Sequence, residues 1–352
     1  MPLARSIPTF AALAALAGAT AGCFETGYLL QAGEGQLDLI CSARSIDHVI
    51  DDPDTPADVR AELGEVPRIK GFGKRFGLVP TSSYEEYVEL DRPVAVWVVS
   101  AAPKLSFESL TWSFPIVGSV PYLGWFDRMR AEEHAESLRA DGWDVDLRGA
   151  SAYSTLGFFK DPVLSSMLGE ASDGYGDLAD TILHESLHAT VYVRGQTSFN
   201  EGLATFVGEH LAIKYLVDRY GEGSKEVTLF QKENVDGAAR TERFVQAFRD
   251  LDTLYRSDAT KEQKLAKKAA YLASLRAELH LRKPVTNATL AGYREYHGAS
   301  KSFDDLLLVC GGDMTRFIAA SNLVKASDFK EPQQKAFEDI GATLAQRGCG
   351  KP

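Results

Sequence analysis

Two histidines four residues apart, with a glutamate directly after the first, constrain this chain of 352 residues more than any other feature. His184, Glu185 and His188 form the stretch HESLH, inside a segment whose apolar spacing predicts a helix over residues 177–193. Residues i and i+4 lie on one face of a helix, so both imidazoles can face one ion. The spacing predicts a metal site. The alternative is an amphipathic helix with incidental histidines.

A second glutamate can supply the third ligand that such a site needs. Glu201 stands in FNEGLATF, at the start of a second predicted helix over residues 198–220, and the connection YVRGQTS lets this helix fold back over the first. Two imidazoles and one carboxylate favour one zinc ion and leave a position for water. Glu185 is then the expected general base, which takes a proton from water during attack on a carbonyl.

The remaining segments predict a few strands followed by many helices. Apolar residues at three- and four-residue steps predict helices within residues 24–80, and the segments 92–103, 110–126 and 143–159 have strand-like composition around a charged helix at 127–142. Because the strands precede the helices and do not alternate with them, the expected class is α+β. We expect a small, mostly antiparallel sheet packed on a predominantly helical catalytic region.

The first residues predict an export signal. Arg5 precedes an apolar run that is too short for a membrane span, and small residues follow. Two cleavage sites compete: residues 19–21 (ATA) fit the ordinary small-x-small pattern, and residues 20–23 (TAGC) resemble a lipobox, in which Cys23 is lipidated and becomes the first mature residue. No second apolar run of membrane length follows. A lipid anchor is therefore the only membrane attachment that we predict.

Cysteine number and net charge limit the partners and the covalent links. If Cys23 carries a lipid, Cys41, Cys310 and Cys349 remain, which allows at most one internal disulfide. Cys310 with Cys349 is the expected pair in an oxidising compartment, and three free thiols are the alternative. The net charge of -11 argues against nucleic acid as a partner, because phosphates require basic surfaces.

Several motifs together resemble a known family. HESLH followed by NEGLA at residues 200–204 is similar to the gluzincin group of zinc metallopeptidases, whose Asn-Glu-Gly-x-Ala helix supplies a glutamate ligand. The stretches GYLLQAGEGQLDLI, RPVAVWVVSAAP, TWSFPIVGSVPYLGWF, AYSTLGFFKDPVL and LLLVCGGDMTRF resemble a bacterial lipoprotein family of predicted aminopeptidases. The resemblance covers most of the chain after the signal.

This resemblance implies a zincin-like fold, a peptide or protein substrate and a location in the bacterial cell envelope. It favours the lipobox interpretation of Cys23, and Phe24 after it is not the aspartate that is linked to inner-membrane retention, so a periplasm-facing outer-membrane lipoprotein is expected. The implied organisation is an export signal at 1–22, an N-terminal helical extension at 23–90 and a zincin-like catalytic domain with C-terminal helices at 91–352. We make no prediction of the oligomeric state.

Carried onto this sequence, the resemblance makes His184, His188 and Glu201 the zinc ligands and Glu185 the general base. Two departures limit the inference. The second histidine and the third ligand are closer in sequence than in thermolysin-like enzymes, so the helices need a tighter connection. The Gly-x-Met-Glu-Asn motif that holds the substrate amine in the best-known gluzincin aminopeptidases is missing from the sequence. Aminopeptidase activity is thus implied by the family alone, and endopeptidase activity is its near alternative.

Further residues are weaker candidates. Thr205 lies one helical turn after Glu201 and can orient a ligand histidine, or simply pack between helices. The segment AYSTLGFF, residues 152–159, is a candidate edge strand for substrate, and its Tyr153 can stabilise an oxyanion or be an ordinary half-buried tyrosine. Tyr192 and Tyr293 are alternative donors. A different class, a non-catalytic envelope protein with a structural zinc site, remains a rival, but it would have no use for Glu185.

Overall fold

The computed structural model describes residues 23–79, 81–114, 118–153, 160–169, 174–297, 300–331, 334, 338–347 and 349. The expected export signal at 1–22 lies outside these residues. So does most of the candidate edge strand, from residue 154 to residue 159.

Helices dominate the described part of the chain, as the sequence predicts. Their bounds are α1 (Cys23–Ser42), α2 (Ile46–Asp51), α3 (Ala57–Arg75), α4 (Arg128–Ala140), α5 (Gly174–Thr190), α6 (Thr197–Tyr220), α7 (Lys225–Arg256), α8 (Lys261–Glu278), α9 (Asn287–His297), α10 (Ser300–Val309), α11 (Met314–Ser321) and α12 (Glu338–Arg347). None of the helices within the described ranges combines the length and the apolar character that a bilayer span requires.

Short strands form three small sheets. The strands are β1 (Arg44–Ser45), β2 (Glu86–Val88), β3 (Val96–Ala102), β4 (Trp112–Phe114), β5 (Gly118–Val120), β6 (Leu123–Trp125), β7 (Asp144–Ala150) and β8 (Val163–Leu164). Their orders are β1-β2-β8, β6-β3-β7 and β4-β5, and only the β2–β8 pair is parallel among the described strands. The α+β prediction is confirmed, with the expected sheet divided into three.

Local signals set the ends of the helices. Asp127 caps α4 by accepting the backbone N–H of Arg130 at 3.0 Å, and Thr260 with Gln263 forms a capping box at the start of α8. The helix α6 ends before Gly221, whose φ of +89° is a conformation that L residues with a side chain rarely adopt. These ends agree with the predicted bounds of the charged helix and of the second motif helix to within a few residues.

The largest apolar cluster surrounds the two motif helices. It joins residues of α3, α5, α6 and the C-terminal helices, and its members Leu63, Ile69, Leu183, Phe199 and Phe317 are almost completely buried. A second cluster lies between the β6-β3-β7 sheet and α4. The third, named here the α7–α9 cluster, consists of Phe244, Ala247, Leu251, Leu272, Leu275, Val285 and Leu290.

Residues on both sides of the predicted domain boundary at 90 share the largest cluster, which contains Leu63 and Val66 from α3 together with Leu183 from α5. The helix α1 is also fixed by the sheet, because Gln31 donates to the Gly124 carbonyl and accepts the Phe126 N–H, both at 3.2 Å. The three-part domain division itself stays a prediction.

A disulfide connects the C-terminal helices. The structure joins Cys310, directly after α10, to Cys349, which follows α12, and both residues are buried. Arg316 of α11 donates to the Cys349 carbonyl at 3.2 Å. Cys41 is a free, exposed cysteine on α1.

Candidate metal centre

The two motif helices lie very close together at the first histidine. A Cβ atom at Gly208 of α6 would lie 2.4 Å from Asp180 Oδ1 and 3.2 Å from His184 Cβ, so only glycine permits this approach without a shift. The close packing brings the first turn of α6 over the C-terminal half of α5. This close approach allows the short connection between the two helices to return Glu201 to the histidines.

Asn200 fixes that connection. Its Oδ1 accepts the Val193 N–H and its Nδ2 donates to the Val193 carbonyl, both at 2.9 Å, and the side chain is buried. Buried Gln196 joins the same loop to the C-terminal segment, by donating to the Glu331 carbonyl and accepting the Gln334 N–H. The asparagine of the NEGLA motif is therefore a backbone clamp directly before Glu201.

The structure brings the three expected ligands together. His184 Nε2 and His188 Nε2 each lie 3.6 Å from a carboxylate oxygen of Glu201, and one ligand atom from each of the three residues lies within 4.8 Å of the others. The two imidazoles stand nearly perpendicular, with ring centroids 4.9 Å apart. The i, i+4 spacing on α5 accounts for the histidine pair, and the clamp at Asn200 accounts for the glutamate.

These donors fit a zinc ion chemically. Two ligand atoms that are each about 2.1 Å from one ion are no more than about 4.2 Å apart. Both 3.6 Å histidine–glutamate distances meet that limit, and the ligand atoms of the whole group lie within 4.8 Å of one another, so a small inward shift of the two imidazoles completes the site. Two imidazoles and one carboxylate are a ligand set of catalytic zinc sites. Nδ1 of His188 is buried without a hydrogen-bond partner in the described part of the chain, and Nε2 is the nitrogen that faces Glu201.

Electrostatics keep the glutamate ionised. Burial raises the pKa of Glu201, but the two imidazoles outweigh burial and bring the pKa to about 2. Burial lowers the pKa of His188, and the carboxylates of Glu201 and Glu185 outweigh it, so that the pKa lies above its ordinary value. A carboxylate that stays charged between two ring nitrogens is suited to binding a cation.

Glu185 has a neighbour that the sequence did not suggest. Tyr84 is buried, and its φ of 62° is unusual for a bulky residue. Burial raises the pKa of its phenol well above the ordinary value, and the charges of Glu185 and Asp161 raise it further. The Tyr84 N–H donates to the Asp161 carbonyl at 2.7 Å. About one hundred residues separate Tyr84 from Glu185, and no motif in the sequence connects them.

A buried acid lies behind His184. Asp180 is one helical turn earlier on α5, and its Oδ1 is buried without a hydrogen-bond partner among the described residues. Burial raises the pKa of Asp180 well above the ordinary value, and the charges of Glu209 and Asp177 add to this. The cluster of ligand atoms in the described residues does not include Glu209.

We name His184, His188 and Glu201 the metal group. A cavity of about 1140 Å³ opens beside it, and Glu185, His188 and Glu201 line this cavity. Thr205 lines the same cavity from the face of α6 that carries Glu201, but no hydrogen bond joins it to either histidine in the described structure. Its orienting role stays a prediction. Tyr153 also lines the cavity, packed edge-on against Phe126 with centroids 5.1 Å apart.

The other tyrosine candidates face the same cavity. Tyr192 is 57% exposed in the connection between α5 and α6, whereas the Tyr293 ring packs at a tilt against Phe244 with centroids 4.4 Å apart. Burial, followed by the charge of Asp161, raises the pKa of Tyr153, so its hydroxyl keeps its proton. The oxyanion role assigned to Tyr153 stays a prediction. Cys23 is the first residue of α1, and its lipidation stays a prediction as well.

The fold and the site define a class: a mostly helical α+β protein whose histidine–histidine–glutamate group, beside a large cavity, can hold a metal ion. A family model described as "Putative aminopeptidase" matches residues 27–336, and the chain belongs to this family. The resemblance to a family of aminopeptidases is thereby confirmed, and peptidase activity is supported at the level of the family. No curated protein and no solved structure matches the chain.

Proposed function

We propose that the protein is a zinc-dependent, zincin-like peptide hydrolase that acts as an aminopeptidase, with one zinc ion held by His184, His188 and Glu201. The observation that carries the proposal is the donor group itself: three ligand atoms within 4.8 Å on two packed helices, with Glu185 next to a ligand histidine and facing the cavity. The family supports the peptidase part of the proposal.

Each residue has a defined task in this proposal. Bound zinc supplies Lewis-acid chemistry, which polarises a carbonyl and acidifies water. Glu185 accepts the proton of the attacking water at its carboxylate and returns it to the leaving amine. Tyr153, which keeps its phenolic proton, donates a hydrogen bond to the oxyanion that develops at the scissile carbonyl. Asn200 holds the start of α6, and thus Glu201, in place.

Endopeptidase activity is a second candidate, and one observation favours it. An aminopeptidase needs a carboxylate that grips the substrate amine. Apart from Glu185 and Glu201, the acid in the described cavity lining is Asp146, which already accepts a hydrogen bond from Thr289 at 3.0 Å and lies 3.9 Å from Arg148. An amine would have to compete with these contacts.

The location belongs to the proposal as well. The expected lipobox at Cys23 supports an exported lipoprotein of the cell envelope, facing the periplasm from the outer membrane. Peptides in the periplasm are then the substrates, and no nucleic acid is involved.

The test is a mixed peptide library incubated with the zinc-loaded protein and followed by mass spectrometry. Half of the peptides carry a blocked N-terminus, and the Glu185→Gln variant is the matched control, since glutamine keeps the shape and loses the base. Trimming of free ends alone supports an aminopeptidase, and cleavage inside blocked peptides supports an endopeptidase. Equal results for both proteins would contradict the proposed hydrolase and favour a non-catalytic zinc protein.

A further inference from the structure

The cavity beside the metal group has a second wall that carries basic side chains. We name it the basic wall, and it consists of Arg148 on β7, Arg240 on α7, and Arg282 and Lys283 in the connection between α8 and α9. All four residues are exposed to solvent within the cavity lining. The proposed function assigns no role to any of them.

Regular secondary structure positions two of these residues. Asp146, Arg148 and Ala150 all line the cavity, because alternate residues of β7 point to the same side of the sheet. Arg240 precedes Phe244 by one helical turn, so the two side chains share a face of α7. Phe244 is buried in the α7–α9 cluster and also lines the cavity, which places Arg240 at its edge.

Hydrogen bonds fix the connection that carries the other two. Arg276 donates to the carbonyls of Leu281 and Arg282, at 3.1 Å and 2.8 Å. Lys283 Nζ donates to the Leu147 carbonyl of β7 at 3.1 Å, and Val285 is buried in the α7–α9 cluster. The backbone below the exposed Arg282 side chain is therefore held in place.

The charges of the basic wall are not balanced within it. The acidic residue next to the basic wall in the cavity lining is Asp146, whose carboxylate lies 3.9 Å from the Arg148 guanidinium. No hydrogen bond or ion pair joins the guanidinium of Arg240 or of Arg282 to any residue that the structure describes. Two cations without a partner among the described residues thus line the same cavity as the carboxylates of Glu185 and Glu201.

We propose that Arg240 and Arg282 bind a carboxylate of the substrate, so that the cavity takes short peptides with a carboxylate at the basic wall and the scissile bond at the metal group. The carboxylate is the free C-terminus of the peptide or an acidic side chain. This inference rests on the proposed function. The volume of about 1140 Å³ is slightly above the range of about 300–1000 Å³ for pockets of drug-sized ligands, so the cavity has room for a short peptide.

Arginine is suited to this task. Its planar guanidinium donates two parallel hydrogen bonds to a carboxylate, and such charge-assisted bonds are about twice as strong as neutral ones. Because Arg240 and Arg282 are exposed, their attraction for a carboxylate weakens with ionic strength. Peptides without a carboxylate lose this attraction and keep their contacts with the metal group.

The test measures binding separately from hydrolysis. The zinc-loaded Glu185→Gln protein is titrated, by calorimetry, with tetraalanine, with tetraalanine amide, and with tetraalanine amide that carries aspartate at its third position. We expect tetraalanine to bind about tenfold tighter than its amide, or more. Tight binding of the aspartate-containing amide would assign the site to side-chain carboxylates as well, and weak binding would restrict it to the C-terminus.

Two further variants of this protein locate the effect. Adding Arg240→Gln and Arg282→Gln together should reduce the preference for the free carboxylate to less than about threefold. The matched control is Arg249→Gln: Arg249 is an exposed arginine of the same helix, nine residues after Arg240 and hence on the opposite face, outside the cavity lining. It should leave the preference unchanged. Circular dichroism spectra confirm that each variant is folded.

The outcomes separate this inference from the proposed function. Equal binding of all three peptides, a carboxylate preference that survives in the double variant, or no binding of any of the three peptides at millimolar concentration would each overturn the inference. Hydrolysis of the peptide library that depends on Glu185 would still support the peptidase. Conversely, a carboxylate preference without hydrolysis would keep the binding site and reject the enzyme.

Discussion

The two walls of the cavity are built in different ways. All proposed metal ligands and the base come from 18 consecutive residues, Glu201 being only 17 positions after His184. The basic wall draws on β7, α7 and the α8–α9 connection, which span residues 148 to 283. One wall is thus determined by helical spacing and one short connection, and the other exists only because distant segments pack together.

The difference separates two kinds of dependence. We name the side of the cavity that carries Glu185, His188 and Glu201 the metal wall. It should respond to changes in its own helix pair, α5 and α6, and remain intact when distant contacts weaken. The basic wall should depend on the long-range contacts that hold β7 against α8 and α9. A change at one wall that leaves zinc binding at the other intact would show that the two walls are independent.

Glu201→Gln should have the largest effect. The amide keeps the shape and loses the charge that attracts the cation, so zinc affinity should fall by at least about 100-fold, more than the loss of an outer partner of a ligand. Hydrolysis should fall by about 1,000-fold or more, because Lewis-acid stabilisation is worth several kcal/mol. Zinc titration with a chromophoric chelator and peptide kinetics provide the measurements.

Glu209→Gln on the same helix is the control for this change, since Glu209 lies outside the ligand group. It should leave zinc binding within about threefold of that of the unmodified protein, well below the effect expected for a ligand. Equal loss in both variants would mean that Glu209 is itself a ligand and that the metal wall extends further along α6.

Lys268→Met should have the next largest effect, and on the other wall. Lys268 Nζ is buried, donates to the Asp144 carboxylate and to the Lys104 carbonyl, and thereby ties α8 to the start of β7. Methionine removes the cation from the half-buried Asp144 carboxylate and leaves it with the Asn287 N–H, so the free energy of unfolding should fall by about 3 kcal/mol. Denaturant titration measures this loss.

Lys267, the exposed residue directly before Lys268, provides the control for the Lys268→Met experiment. Lys267→Met should change the free energy of unfolding by less than about 0.5 kcal/mol. Both variants, when folded, should bind zinc as the unmodified protein does. Weaker zinc binding by folded Lys268→Met protein would show that the two walls are coupled.

Asn200→Ala should have an intermediate effect on the metal wall. It leaves the buried Val193 N–H and carbonyl without their side-chain partners, at a cost of about 2 kcal/mol in unfolding free energy. Because Glu201 follows directly, zinc affinity should also fall, by about tenfold, as for other residues that support metal ligands. Thermal unfolding with and without added zinc measures both effects.

A change at exposed Asn322 to alanine, the control, should alter neither quantity. If Asn200→Ala lowered the stability but left zinc affinity untouched, the connection would not position Glu201. The local explanation of the metal wall would then be wrong.

The smallest expected effect concerns Glu62 on α3. Glu62 is buried, its carboxylate accepts the Gly169 N–H at 3.1 Å, and burial together with the charge of Asp58 raises its pKa to about 7, from an ordinary value of 4.5. The folded protein therefore holds this proton more tightly than the unfolded chain. Stability from this group is present below about pH 4.5 and is lost as the pH rises towards 7.

A pKa of about 7 in place of 4.5 corresponds to about 3 kcal/mol. Glu62→Gln removes this loss but buries an amide NH₂, which offsets part of the gain, so the variant should be more stable than the unmodified protein at pH 8 by about 1 kcal/mol, a shift of a few degrees in Tm. At pH 4 the two should be nearly equal. Glu86→Gln, at an exposed position, is the control and should show no such difference. A variant less stable at pH 8 would show that the folded protein uses the charged form of Glu62.

Much of the fold could be predicted, because its signals are local. The charged helix, the two motif helices and the buried strand β3 follow from periodicity and from caps such as Asp127, and the α+β class follows from their order. The division of the strands into three sheets did not follow, since pairing such as that of Val96 with Ala150 joins residues 54 positions apart. Periodicity does not encode such pairing.

The sequence by itself determined the metal group. The histidines four apart and the glutamate in the next helix are close because one helical turn and one short connection leave few other arrangements. Only the tertiary structure decided what surrounds this group: that Gly208 lets the helices approach, that Tyr84 lies near Glu185, and that Arg240 and Arg282 meet at one cavity. Such contacts depend on the burial of apolar clusters drawn from the whole chain, and no spacing of residues in the sequence records them.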